Sequence, residues 1–271
     1  HACMPGCVVR CSNTYMGPGG EFITSALEYE TLAMMGSNLG IDDLDIIAKL
    51  DRYCDELGID TIETGNTLGA LNHAGMFDFG DGQKALEYIS EIEKATPLGM
   101  ILGSGTETAC KVFGIDRVPA IRGLGIPAHM VRSQKGRGVS YATSPQGADH
   151  TAGFASHNPL SPHGNAERSR YSQISMAAFD SLGMCWFTFI NGSYDLLCPM
   201  INALCGFHWD TRQYLKMGED MIRMEIAFNR KAGLGPEQEQ MPQWLKEESL
   251  PPTNTKFDVP DQDYEKVWKN F

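Results

Sequence analysis

The sequence has no long uninterrupted apolar run. Its most apolar region, SLGMCWFTFINGSYDLLCPMINALCGF, is broken by Asn191, Gly192, Ser193, Asp195 and Pro199. A membrane-spanning helix needs about 20 nearly continuous apolar residues, so a core segment is expected here and no membrane anchor. Positive charge is scarce as well. Lys and Arg number 22 against 34 Asp and Glu, a net charge of −12, which argues against nucleic acid and anionic membranes as general partners. The strand–helix rhythm of a parallel α/β fold is missing, and no repeat of 20 to 50 residues marks a solenoid. Nor is the chain short and cysteine-dense like a secreted disulfide framework, with eight Cys in 271 residues. A reducing cytoplasm and a thiol-bound metal are the expectation. The first residue is His and no signal-peptide charge pattern is seen, so the sequence reads as a fragment or a processed product.

What is present reads as helix. Apolar residues make up 42% and charged residues 21%, a balance that suits a packed core rather than disorder. EFITSALEYETLAMMGSNLG carries helix formers that end at a glycine. IDDLDIIAKLDRYCDELG has a cap at Asp42 or Asp43, an apolar stripe of Ile46, Leu50, Cys54 and Leu57, and a stop at Gly58. DGQKALEYISEIEKAT is a further amphipathic helix. WDTRQYLKMGEDMIRMEIAFNRKAG is the clearest, with Tyr214, Met217, Met221, Met224 and Phe228 on one stripe, Asp210 as cap and Gly233 as stop. Residues 116–138 are rich in Gly, Pro and Arg, lack helical period and mark a domain break. The last forty residues are Pro-rich and polar, and are expected to wrap the domain with one short helix. Fold class is therefore all-α, in two helical domains over 1–120 and 121–271.

Three thiols crowd the front, Cys3, Cys7 and Cys11, in a C-x3-C-x3-C arrangement. Thiolates are soft ligands for zinc, copper(I) and iron–sulfur clusters. A four-iron cluster takes four cysteines, commonly several close in sequence and one remote. Zinc sites favour C-x2-C pairs, and radical enzymes with three clustered cysteines use another spacing on a β/α barrel, so the iron–sulfur reading leads. Pro5-Gly6 is expected to turn the chain so that backbone N–H groups point at the sulfurs. Cys54 and Cys110 lie on helical stretches and read as core. Cys185, Cys198 and Cys205 all remain open as the fourth ligand.

A small repeat adds a second signal. DELGID, from Asp55 to Asp60, and DSLGMC, from Asp180 to Cys185, share the form Asp-x-x-Gly-apolar-Asp/Cys at apparent helix ends. An aspartate in the last turn faces the negative end of the helix dipole. Two such placements suggest that each carboxylate serves a cationic or N–H donor partner. Chance is the competing explanation, because Leu-Gly is a common helix ending.

The front cysteines, LEYETLAMMGSNLGI, DELGIDTIETGNTLG, ATSPQGADH and DSLGMC stand in this order along the chain. Together they resemble the tungsten- or molybdenum-dependent aldehyde:ferredoxin oxidoreductases, over nearly the whole length. The resemblance implies the helical C-terminal domains of that family and a tungsten or molybdenum bis-pterin beside one [4Fe–4S] cluster. It implies Cys3, Cys7, Cys11 and Cys185 as cluster ligands. Asp55 and Asp180 match aspartates that accept hydrogen bonds from pterin N–H groups, with Gly58, Asp60 and Gly183 in the same motifs. Glu30 matches the glutamate beside the metal and His150 the histidine. Read from the residues alone, Glu30 is a solvated helix glutamate and His150 a loop histidine.

The implied reaction is oxidation of an aldehyde to a carboxylic acid, with ferredoxin or another electron-transfer protein as acceptor. Assembly into a homo-oligomer is left open. Trp186, Phe187 and Phe189 are candidates for a pocket lining or for core. Three departures from the family pattern stand out. The usual front spacing is C-x2-C-x3-C, Gln146 occupies a position where Arg is common, and no β-rich N-terminal domain precedes the helical part, so the bis-pterin would be shared with that missing domain. The competing readings are a non-catalytic iron–sulfur electron-transfer protein, which needs neither Glu30, His150 nor the aspartate motifs, and a structural zinc protein.

Overall fold

The computed structural model describes residues 1–188, 194–235, 238, 240–269 and 271. It divides into two compact units, His1–Met130 and Val131–Phe271. Among the described residues there are twelve α-helices and two small two-stranded sheets, so helix dominates as expected. None of these helices is long and apolar enough to cross a membrane.

The first unit opens with an antiparallel hairpin of β1 (Thr14–Met16) and β2 (Phe22–Ser25), with Thr14 opposite Ser25. A helix was expected over this second stretch. The β-branched pair Ile23–Thr24 favours the pleat, and Thr24 is fully buried while Phe22 stays exposed. Helix begins only at α1 (Tyr29–Thr31), which continues into a π-helical turn over Leu32–Ser37. Next come α2 (Leu44–Leu57), α3 (Thr61–His73), α4 (Gly82–Glu93), α5 (Pro97–Leu102) and α6 (Thr106–Phe113). Side chains at the starts satisfy backbone donors that would otherwise lack partners. Asp43 accepts from Asp45 and Ile46, Asp60 from Glu63, Asp81 from Lys84 and Thr96 from Gly99. The apolar faces meet in one core that includes Met35, Leu39, Leu50, Cys54, Leu71 and Ile89. Cys54 and Cys110 are buried, as their helical placement implied.

A short hairpin, β3 (Ala120–Ile121) and β4 (Leu124–Gly125), completes this unit. The Gly125 N–H donates to Glu63 Oε2 at 2.6 Å, and the Thr106 N–H donates to Glu63 Oε1 at 2.6 Å. One carboxylate thus ties α3, α6 and β4 together. These bonds hold residues 120–125 to the first unit, and the chain leaves it only after Met130.

The second unit is built around α8 (Asn165–Asp180), which packs against α7 (Lys135–Thr143), α10 (Thr211–Lys231) and α12 (Asp261–Val267). The sequence shows no helical period where α7 begins, because every residue of α7 is buried and no polar face alternates with an apolar one. A capping box at Asp210 and Gln213 starts α10. Its stripe is only half used. Tyr214 is buried, but Met224 and Phe228 are 62% and 72% exposed. Between α8 and α10 lie a 3-10 turn (Trp186–Thr188) and α9 (Tyr194–Cys205). Phe189 falls outside the described residues, while Phe187 is exposed and Trp186 packs against the core of Met176, Phe179, Leu197, Ile201 and Tyr214. The tail holds two helices, α11 (Gln243–Glu247) and α12, where one was expected. It buries Phe257, Tyr264, Val267 and Trp268, and Trp268 Nε1 donates to the Thr143 carbonyl at 2.8 Å.

Candidate functional site

The three front cysteines lie in the irregular segment before β1. Within it the Cys7 N–H donates to the Met4 carbonyl at 3.3 Å. Cys3 and Cys11 are exposed and Cys7 is half-exposed. The backbone N–H of Arg10, and then that of Val9, hydrogen-bond to the Cys7 sulfur and lower its thiol pKa. Pro5-Gly6 form the expected turn, with Gly6 at φ 81° and the Cys7 N–H closing onto the Met4 carbonyl, and the N–H groups at the Cys7 sulfur are those of Arg10 and Val9. Arg10 has a left-handed φ of 49°. Solvent-accessible thiols with amide N–H groups at a sulfur are donors of the type an iron–sulfur cluster takes. Among the described residues, no group of three or more His, Cys, Asp or Glu side chains is already gathered to hold an ion.

The two aspartate motifs fold alike. At the end of α2 the Gly58 N–H donates to the Asp55 carbonyl at 3.3 Å and Gly58 has φ 67°. At the end of α8 the Gly183 N–H donates to the Asp180 carbonyl at 2.8 Å and Gly183 has φ 65°. Glycine is the residue that enters this left-handed conformation without strain. Added side-chain carbon would meet nothing within 4 Å at either position, so the backbone conformation and not crowding demands glycine. Both Asp55 and Asp180 are exposed and both sit on the last helical turn. Asp60 caps α3 through its Oδ2, 2.7 Å from the Glu63 nitrogen.

Glu30 is no solvated helix glutamate. Its side chain is only 13% exposed, and its Oε2 accepts from the Ala128 N–H at 2.8 Å. His129 Nε2 lies 3.1 Å from Glu30 Oε1. The distance is short, but the contact is off the line of a hydrogen bond. The Tyr29 ring stacks on the His129 ring at 5.4 Å, and the Tyr29 hydroxyl donates to the Ala128 carbonyl at 3.2 Å. Sequence reasoning missed His129. Nothing in the string IPAHM singles it out, and it meets Glu30 only through the fold.

In the second unit His150 is half-buried on a loop after α7. The loop is pinned at Ser144, whose Oγ accepts from the Gln146 N–H and whose carbonyl accepts from the Gly147 N–H. Asp149, beside His150, accepts from the N–H and hydroxyl of Thr151. Partial burial, then the charge of Asp149, raises the Asp180 carboxyl above its ordinary pKa. Partial burial, then the charge of Asp180, does the same to Glu225. The ATSPQGADH loop, the second aspartate motif and α10 thus come together within this unit. Beside Glu225, a cleft of about 360 Å³ is lined by Pro145, Gln146, Met221, Met224, Phe228 and Asn229. Gln146 brings a neutral amide to this wall. Cys185 follows Gly183 and is exposed. Cys198 is buried on α9, whereas Cys205 is exposed at its end. Glu30 and the three front cysteines belong to the first unit, His150 and Cys185 to the second.

Comparison with known proteins points one way. The family profile described as aldehyde ferredoxin oxidoreductase, domains 2 and 3, matches residues 1–271. A tungsten-containing aldehyde ferredoxin oxidoreductase of Pyrococcus furiosus is 31% identical over 273 residues, covering 90% of this chain and 45% of that protein. Its counterpart in Thermococcus kodakarensis is 31% identical over 257 residues, covering 84% and 42%. An aliphatic sulfonate oxidoreductase, WOR-like subunit, of Pyrococcus furiosus is 32% identical over 245 residues, covering 81% and 38%. The chain spans less than half the length of these curated relatives.

Proposed function

The chain belongs to the aldehyde ferredoxin oxidoreductase family, as its second and third domains, and from that premise we propose that it is the cluster-bearing helical part of a tungsten bis-pterin oxidoreductase. The proposed reaction converts an aldehyde and water to a carboxylic acid, two protons and two electrons. A [4Fe–4S] cluster held by the cysteines would supply a one-electron route to ferredoxin or a similar carrier. One observation carries the reading: two helices in separate units end in the same turn, each presenting an exposed aspartate above a left-handed glycine. A cofactor with two similar pterin arms needs two similar acceptors.

Cys3, Cys7, Cys11 and Cys185 are the proposed cluster ligands. The N–H groups at Cys7 favour the thiolate that ligation requires. Asp55 and Asp180 would accept from pterin N–H groups through charge-assisted bonds, with Gly58 and Gly183 holding the turns. Asp60 supports the first motif by capping α3. Bound tungsten supplies the two-electron acceptor and the cluster the one-electron exit. Glu30 is proposed to take up a proton at a carboxylate oxygen as water adds to the carbonyl, and His150 to orient the substrate carbonyl by hydrogen bonding. The rest of the pterin site falls to the portion that the relatives have and this chain does not match. All eight cysteines are free, which suits a reducing cytoplasm.

The test is anaerobic reconstitution of the chain with iron and sulfide. The expected yield is about four irons and four sulfides per chain, with loss of the cluster in Cys185→Ser. Full iron retention in Cys185→Ser removes that residue as ligand. Zinc in place of iron overturns the redox reading altogether.

A further inference from the structure

Two neighbouring residues of α1 grip two neighbouring residues that lie about a hundred positions later. Tyr29 holds Ala128 and His129 through its hydroxyl and its ring, and Glu30 holds the same pair through its two carboxylate oxygens. We propose that His129 is a positioning residue for Glu30, setting the direction of the carboxylate that serves the reaction. This rests on the reading of Glu30 given above.

The physical case starts from burial. The Glu30 side chain is 13% exposed and that of His129 19%. A carboxylate withdrawn from water needs compensating groups close by. One is the Ala128 N–H at 2.8 Å on Oε2, which is fixed in the backbone. At Oε1 the contact is the His129 imidazole at 3.1 Å. The stacked Tyr29 ring limits where that imidazole can go. With each oxygen facing a different group of one short segment, the carboxylate plane is defined. Proton transfer to or from a carboxylate depends on that direction. A displacement of His129 takes the imidazole away from Oε1, which loosens the carboxylate and weakens the bond at Oε2. Purely structural glue between α1 and residues 128–129 would instead show only in folding stability.

Two variants separate these cases. His129→Phe keeps a ring to stack on Tyr29 and loses the polar contact, while His129→Gln keeps a polar group. In the unloaded chain, hydrogen exchange of the Ala128 amide reads whether Glu30 still accepts from it. We expect exchange about tenfold faster in His129→Phe and near wild type in His129→Gln. In the metal-loaded protein, His129→Phe should lower kcat about 10- to 100-fold with little change in KM, and His129→Gln should recover most of it. Unchanged Ala128 exchange together with unchanged kcat in His129→Phe overturns the proposal. Wild-type turnover in Glu30→Gln overturns the catalytic reading of Glu30 and the proposal with it, and the exchange data on the unloaded chain still show whether His129 holds that side chain.

Discussion

The hydroxyl of Thr24 donates to Asp51 Oδ2 at 2.6 Å in the interior of the first unit, where Asp51 is 3% exposed. Burial pushes the Asp51 carboxyl up. The hydrogen bonds from Thr24 and Thr31 pull the other way, and the charges of Asp55 and Glu28 add to the rise. The folded chain therefore holds this proton to higher pH than the unfolded chain does. Between an unfolded value of about 3.9 and the higher folded value, the folded state binds more protons, so stability falls as pH rises through that window. Asp51→Asn removes the titration and should flatten this dependence. Urea denaturation from pH 4 to 7 checks it, and identical slopes in both proteins would refute the assignment.

The Cys7 thiol should be far more reactive than that of Cys54. Backbone N–H groups stabilise its thiolate. Cys54, by contrast, is pushed up to about 12, chiefly by burial. Timed alkylation at pH 7 with mass mapping should label Cys7 well before Cys54. Equal rates at the two would show that neither environment is as described.

The two aspartates of the DELGID motif should separate by role. Asp60→Ala loses a helix cap and should cost about 1 kcal/mol in the unloaded chain. Asp55→Ala removes an exposed carboxylate from the unfavourable end of α2, so the unloaded chain should be as stable as wild type or slightly more so. Pterin retention in the loaded protein should nevertheless drop. Thermal melts and pterin release on denaturation measure the two effects. Undiminished pterin in Asp55→Ala would remove that residue from the cofactor site.

Gly136→Ala should destabilise the second unit. A methyl group there would stand 2.2 Å from the Ala155 carbonyl oxygen, which is backbone and cannot swing aside. Overpacking of this kind costs about 1–3 kcal/mol. A calorimetric transition at the wild-type temperature would mean that α7 has room to shift.

Legibility in the sequence followed local encoding. The helices α2, α4 and α10 could be read because their caps and one-sided apolar faces lie within a few residues of each other. The helices α3 and α7 could not, since both are buried nearly all round and show no alternation of polar and apolar faces. The stretch EFITS carried helix formers around it, yet pairing with Thr14–Met16 and the bond from Thr24 to Asp51 made it a strand. That outcome depends on partners in other elements, which outweigh intrinsic propensity.

By itself the sequence determined what neighbours in the chain decide: helix caps at Asp43 and Asp210, left-handed stops at Gly58 and Gly183, and a run of three thiols. Each depends on hydrogen bonds spanning two to four residues, so residue type and spacing suffice. Tertiary structure decided the rest. It buried Glu30, faced it with His129, and brought the Asp180 motif beside the Asp149–His150 loop within the second unit. Such pairs are distant in sequence and carry the entropic cost of closing long loops. They form only when the packing of a whole unit supplies the energy, and no short stretch of sequence contains that information.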